Sequence, residues 1–163
     1  IEENTGCHRA LITHSCTAAL EIAAILANIK QGDEILMPSY TFVSSANAFV
    51  LRGGVPVFID INKKSLNIDP DLIEDAITAN TKAILVVHYA GVSCDMDKIL
   101  EIARKNKLIV IEDAAQGILA KHKNKYLGSI GDIGCYSFHE TKNIHLIPID
   151  TLHDASQCLR CFH

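Results

Sequence analysis

The sequence predicts a three-layer α/β domain in which helices cover both faces of a largely parallel sheet. Three observations carry this. Short apolar runs alternate with segments of helical period along most of the chain. Several runs hold consecutive apolar residues, the pattern of strands buried on both faces. Glycine, proline and Asp/Asn punctuation separates them. A chain of 163 residues, 48% hydrophobic and 21% charged, is composed for folding and can remove roughly 70% of its unfolded surface from water. No fixed-period repeat and no Ser- or Pro-rich linker divides it.

Ser15-Cys16-Thr17 opens the first long helix, which runs through Ile29 with Leu20, Ala23, Ala24 and Ala27 on one stripe. Gln31-Gly32-Asp33 breaks it. Residues 34–37 read as a short buried strand stopped by Pro38, and residues 41–52 as a helix closed by Gly53-Gly54. Residues 55–60 form the next strand. Asp69-Pro70 has the cap and first-turn chemistry of a helix reaching about residue 78, and residues 82–88 follow as a strand. Residues 95–106 are helical, with Met96, Ile99, Leu100 and Ala103 inward. Residues 108–112 and 133–138 supply two more strands, with a solvated turn at 121–128 between them. In parallel sheets functional side chains gather beyond the carboxyl ends of the strands, where His88, Asp113 and residues 137–143 fall.

Composition excludes several function classes. Fifteen basic against nineteen acidic residues give a net charge of -4, so no global positive field holds nucleic acid or anionic lipid. Apolar stretches stop short of the roughly 18 residues of a membrane span, and no leader-like segment opens the chain, so a cytoplasmic protein is expected. Of the six cysteines, Cys7, Cys16, Cys94 and Cys135 sit among apolar or turn residues and read as reduced thiols. Cys158 and Cys161 form a single C-x-x-C between His153 and His163, short of the two spaced pairs of a zinc signature, and no metal site is expected. The glycines of 128–134 match neither a dinucleotide fingerprint nor a phosphate loop.

What remains is a set of features that a pyridoxal phosphate site requires, each open to a plainer reading. Ser15-Cys16-Thr17 offers hydroxyls and helix-start N–H groups to a phosphate, or is an ordinary cap. Phe42 can stack on a pyridine ring, or belong to the core. Asp113 follows an apolar strand where it can keep a ring nitrogen protonated, or cap the turn at Ala114-Ala115. Lys142 can form a Schiff base with the aldehyde, or be one more surface lysine, as Lys121, Lys123 and Lys125 are.

Pro38-Ser39-Tyr40-Thr41-Phe42-Val43, Glu112-Asp113-Ala114-Ala115-Gln116 and the stretch from Gly131-Asp132-Ile133-Gly134 through Ser137-Phe138 to Lys142-Asn143 together resemble the DegT/StrS-type sugar aminotransferases. The resemblance runs from about Leu11 to Asn143. It implies the large domain of the fold-type I pyridoxal phosphate aminotransferases. It also implies roles: Lys142 as the cofactor lysine, Asp113 against the pyridinium, Phe42 on the ring, Cys16, Thr17 and Ser137 at the phosphate, Gln116 at the ring hydroxyl, and Asn143, beside the lysine, as a further cofactor-binding residue. His139 is implied to touch substrate or cofactor. His88 matches a position near the site, with a hydrogen-bonded structural histidine as the alternative.

The implied activity is amino transfer from glutamate, leaving 2-oxoglutarate, to a dTDP-linked 4-keto-6-deoxy sugar in a homodimer. The lysine argues against the branch of the family that carries histidine there and dehydrates its substrate. Residues 1–143 are expected to form a partial cofactor domain. Residues 144–163, beginning Ile144-His145-Leu146, match nothing in the family pattern and read as a divergent tail of a shortened chain. An inactive cofactor-domain remnant, or an oligomeric interaction module, is the competing expectation.

Overall fold

The computed structural model describes residues 2–139, 141–142 and 158–162. A seven-stranded sheet runs in the order β1-β9-β8-β5-β4-β2-β3. It comprises β1 (Arg9–Thr13), β2 (Glu34–Pro38), β3 (Val55–Ile59), β4 (Thr81–Val87), β5 (Ile109–Ala114), β8 (Ile133–Tyr136) and β9 (Cys158–Phe162). The hairpin β6 (Lys121–His122) and β7 (Lys125–Tyr126) stands apart. Strands β3, β2, β4, β5 and β8 pair in parallel, whereas β9 runs antiparallel to both β8 and β1. The largely parallel α/β sheet is as predicted.

Consecutive apolar residues in the strands serve two cores. Ile35 and Met37 of β2, with Ala83 and Leu85 of β4 and Ile111 of β5, pack under α2 (Cys16–Leu26) and α3 (Val43–Val50). Their neighbours Leu36, Ile84, Val86 and Val110 pack under α4 (Met96–Asn106). Alternate side chains leave a strand on opposite faces, so an uninterrupted apolar run fills both layers. Ser15 caps α2 by accepting the Ala18 N–H over 3.1 Å. Asp95 caps α4, which ends on Lys107 in the left-handed region at φ 56°. His122 and Lys123 of the hairpin reach Asp97 in the first turn of α4, at 3.0 and 2.7 Å.

Three features depart from expectation. The segment beginning at Asp69 is not an α-helix but two 3-10 turns, Pro70–Leu72 and Glu74–Ala76. Ile73 is its fully buried anchor, and one deep anchor in so short a crossover selects tight i to i+3 turns over a full helix. Strand β1 was not expected, because its three apolar residues, Ala10 to Ile12, find their partner only in β9, far along the chain. Of the expected tail, residues 158–162 form β9 inside the main sheet, between β1 and β8.

The glycines around 131 are explained by packing. A Cβ at Gly134 would lie 1.8 Å from the Gly128 carbonyl oxygen, and one at Gly131 would lie 2.8 Å from that of Val110. Cys7, Cys94 and Cys135 are buried and Cys16 is partly buried; burial pushes the Cys94 thiol up to about 12. No helix among the described residues is long and apolar enough to cross a membrane.

Candidate active site

The carboxyl ends of the parallel strands and the N-termini of α2 and α3 enclose two adjoining cavities. One, of about 280 Å³, is lined by Tyr40, Phe42, His88, Asp113, Gln116 and Lys142 among others. The other, of about 350 Å³, is lined by Ser15, Cys16, Thr17, Ser137, His139 and Thr141, and shares Phe42, Asp113, Ala115 and Lys142 with the first. Each expected site residue within the described part of the chain therefore lines one cavity or both. Asn143 lies outside the described residues.

Each side chain arrives by a local device. Asp113 is the penultimate residue of β5 and is 5% exposed. Its Oδ1 accepts the Ala115 N–H over 3.1 Å and its Oδ2 accepts the Ser45 hydroxyl over 2.7 Å. The turn-capping role and a buried carboxylate thus coexist in one residue. Among the described residues no cation pairs with it. Burial pushes its pKa above the ordinary value, against the lowering effect of Ser45, Ala115 and the nearby Lys142. Phe42 is not a core residue: it precedes α3 and is 73% exposed at the cavity. Lys142 follows a turn in which its backbone N–H donates to the His139 carbonyl over 2.8 Å.

At the other end of the site, Ser15 Oγ accepts the Ala18 N–H as the cap of α2, and its own O–H can still donate. The donors open to an anion at the start of α2 are that hydroxyl, the neighbouring backbone and Thr17, whose hydroxyl lies 3.0 Å from that of Ser44 in α3. Ser137 Oγ accepts the His139 N–H over 3.4 Å, and His139 Nδ1 lies 2.9 Å from Thr141 Oγ1. Gln116 Oε1 accepts the Ala90 N–H over 2.7 Å, tying it to the loop after β4, where Ala90 is left-handed at φ 52°.

Beneath the cavity lies a group that sequence reasoning missed. Glu112, fully buried, accepts from His88 Nε2 at 2.8 Å and from the N–H groups of Gly128, Ile130 and Gly131 at 2.7, 2.6 and 2.6 Å. The Cys94 N–H donates to His88 Nδ1 over 3.2 Å, so the ring proton sits on Nε2 and points at Glu112. Burial would raise the Glu112 carboxyl, but the His88 hydrogen bond and the loop N–H groups outweigh it and hold the group below the usual range. His88 is accordingly the hydrogen-bonded structural histidine. Glu112 anchors the loop that leads into β8 and on toward Lys142.

Glu112→Gln is therefore expected to destabilise the protein by about 3–5 kcal/mol, because an amide N–H2 would face groups that are themselves donors. Urea unfolding at neutral pH measures this. The sign with pH is set by the depressed folded-state value: the contribution is complete above the ordinary carboxylate pKa and is lost as pH falls through the lower one. The variant and wild type should converge in strong acid.

The chemistry of the donor set fits pyridoxal phosphate. A helix start with hydroxyls suits the phosphate, an exposed phenyl face suits the ring, a buried carboxylate without an ion-pair partner among the described residues suits the pyridinium and a lysine suits the aldehyde. A helix-covered parallel sheet with such a site at its carboxyl edge defines the cofactor domain of the fold-type I aminotransferases. Solved aminotransferases superpose on 99% of the chain with TM-scores of 0.90. Residues 1–147 match the model of the DegT/DnrJ/EryC1/StrS aminotransferase family, and the chain belongs to that family.

Among its relatives, the spore coat polysaccharide biosynthesis protein SpsC of Bacillus subtilis is 45% identical over 139 residues, 85% of this chain and 36% of that protein. The GDP-perosamine synthase of Caulobacter vibrioides is 42% identical over 139 residues, 85% of this chain and 38% of that protein. The structure of NtdA from Bacillus subtilis with bound cofactor PMP matches at 35% identity and a TM-score of 0.87, over 99% of this chain and 34% of that one. The chain thus spans between 34% and 38% of the length of these three proteins.

Proposed function

We propose that this chain is the cofactor-binding part of a pyridoxal phosphate-dependent aminotransferase that moves an amino group from glutamate to a nucleotide-linked 4-keto-6-deoxy sugar. The observation that carries the reading is a single lysine and a buried carboxylate, without an ion-pair partner among the described residues, lining the same two cavities, Lys142 and Asp113. The names of its relatives, a GDP-perosamine synthase and a polysaccharide biosynthesis protein, support a sugar substrate.

The finer reading is a dTDP-4-amino-4,6-dideoxygalactose transaminase acting as a homodimer in the cytoplasm. Its product would enter a cell-surface polysaccharide such as enterobacterial common antigen. The wording of 13–20, of Phe49-Val50-Leu51-Arg52-Gly53-Gly54, of His88-Tyr89-Ala90-Gly91 and of 137–143 favours that member. Residues 1–143 belong to the cofactor domain in this reading, and 144–163 form a divergent tail whose residues 158–162 add β9 to the same sheet.

Pyridoxal phosphate, when bound, supplies an aldehyde that takes up amines and a ring that withdraws the electron pair left by loss of a neighbouring proton. The chain's own residues do the rest. Thr17, the backbone at Cys16, and Ser137 hold the phosphate, and Phe42 and Gln116 fix the ring. Lys142 Nζ would hold the aldehyde, and its amine would serve as the base that takes up and returns a proton beside it. Asp113 accepts the ring N–H and keeps it protonated. His139 is exposed at the rim of the cavity that holds the phosphate residues.

The test is direct. The protein, loaded with pyridoxal phosphate and given glutamate and a dTDP-4-keto-6-deoxyhexose, should release one 2-oxoglutarate per amino sugar formed, with neither substrate reacting to completion alone. Absence of 2-oxoglutarate under these conditions refutes the activity.

A further inference from the structure

Thr41, Ser45 and Asp113 form a hydrogen-bonded line beneath the cavity. Thr41 Oγ1 donates to Ser45 Oγ over 2.8 Å, and Ser45 Oγ donates to Asp113 Oδ2 over 2.7 Å. Ser45 is completely buried in the first turn of α3. A hydroxyl that already receives a proton from Thr41 sends its own onward, and Asp113 is the acceptor it meets. With Ala115 donating to Oδ1, both carboxyl oxygens are committed as acceptors by neutral donors. That arrangement selects the ionised acid. Burial opposes it and pushes the group toward the neutral form.

We propose that Ser45, oriented by Thr41, is the positioning residue that keeps Asp113 ionised and aimed at a cationic ring N–H in the cavity; this rests on the cofactor reading above. A packing role needs no hydroxyl, since Ala48 and Phe49 supply the buried apolar side of α3, and a buried hydroxyl is unfavourable unless it is hydrogen-bonded. The start of the same helix carries Phe42, whose carbonyl accepts the Ser45 N–H over 3.0 Å. One rigid turn therefore sets the aromatic face directly and the carboxylate through Ser45. Among the described residues, the other ionisable groups lining the cavities with Asp113 are Lys142, His88, Tyr40 and Tyr89 on one side and Cys16 and His139 on the other, and its chain neighbour Glu112 has its oxygens occupied by His88 and the 128–131 loop.

A double-mutant cycle read by cofactor binding, not turnover, tests this. Pyridoxal phosphate affinity is measured by equilibrium dialysis across pH for wild type, Ser45→Ala, Asp113→Asn and the double variant. Ser45→Ala should weaken binding about 10- to 100-fold at neutral pH, the worth of a hydrogen bond to a charged group. It should also move the acid limb, where affinity is lost as Asp113 protonates, to higher pH, because a donor to the ionised form has gone. In the Asp113→Asn background the same change should alter affinity by less than about twofold. Ser45→Thr, which keeps the hydroxyl, should restore the wild-type limb. Thr41→Val should shift the limb in the same direction by less, and it serves as the deciding variant if Ser45→Ala does not fold. An unshifted limb, or an equal loss in both backgrounds, overturns the positioning role. Wild-type protein that binds no pyridoxal phosphate at all refutes the cofactor reading instead, a separately visible outcome.

Discussion

Lys142→Ala should eliminate amino transfer, with a loss of at least about 10³-fold, since proton transfer by a positioned base alone is worth about 10²- to 10⁴-fold and the covalent hold on the aldehyde is lost with it. The sharper readout is chemical. Treating the wild-type protein with pyridoxal phosphate and borohydride should leave one stable adduct, on the peptide containing residue 142, and the variant should carry none there. The described structure gives the reason for such selectivity. Lys98 and Lys105 are paired with Asp71 and Glu74, Lys123 with Asp97, and Lys121 lies over the Tyr126 ring, whereas Lys142 lines both cavities. An adduct on another lysine, with residue 142 unlabelled, would end the assignment.

Asp113→Asn should separate stability from function. A carboxyl whose folded-state pKa is raised stabilises the fold below its ordinary pKa, and that contribution is lost as pH rises through the raised value. At neutral pH the buried, ionised Asp113 therefore costs stability. An asparagine removes the charge and can still accept from Ala115 while its amide donates to Ser45. The variant should unfold at no lower temperature than wild type at neutral pH, its relative stability improving from acid toward neutrality, while kcat falls by about 10²–10³-fold, the usual effect of removing one group that stabilises developing charge. Thermal unfolding at several pH values, together with steady-state rates, checks both halves. A variant that keeps wild-type kcat would show that the ring nitrogen has no partner at position 113. Glu112, next in the chain, has the opposite pH sign because it is surrounded by donors. Adjacent carboxylates on one strand, pointing to opposite faces, thus have opposite pH dependences.

Much of the site was legible because its parts sit at strand ends. Asp113 and Thr17 lie at the end or start of an element whose period is plain in the sequence, and Phe42 and Lys142 flank one, and the parallel-sheet rule converts those positions into one edge of the molecule. Where each side chain goes is visible only in the contacts. Ser15 does cap α2, by accepting the Ala18 N–H. Phe42 is exposed at the cavity rather than in the core. His88 is held by Glu112 and the Cys94 N–H, which makes it structural.

What stayed hidden has one physical character: a local residue whose partner is distant. Ser45 reads as an unremarkable helical serine until Asp113, 68 positions away, is found 2.7 Å from its hydroxyl. Glu112 looked like half of an acidic pair, and its partners at Gly128, Ile130 and Gly131 reach it only because the loop before β8 folds back on β5. The 3-10 turns replaced a helix because capping chemistry at Asp69-Pro70 starts either one, and the depth at which Ile73 is buried chose between them.

The sequence by itself determined the layered α/β fold, the strand ends and the residue types that chemistry would use, since hydrophobic period and turn punctuation act over a few residues. The tertiary structure alone decided which of those side chains share a cavity, which proton each hydroxyl and ring sends where, and which of two neighbouring acids is held below its ordinary pKa and which above. Those outcomes depend on burial and on donors brought from remote segments, and no local pattern records either.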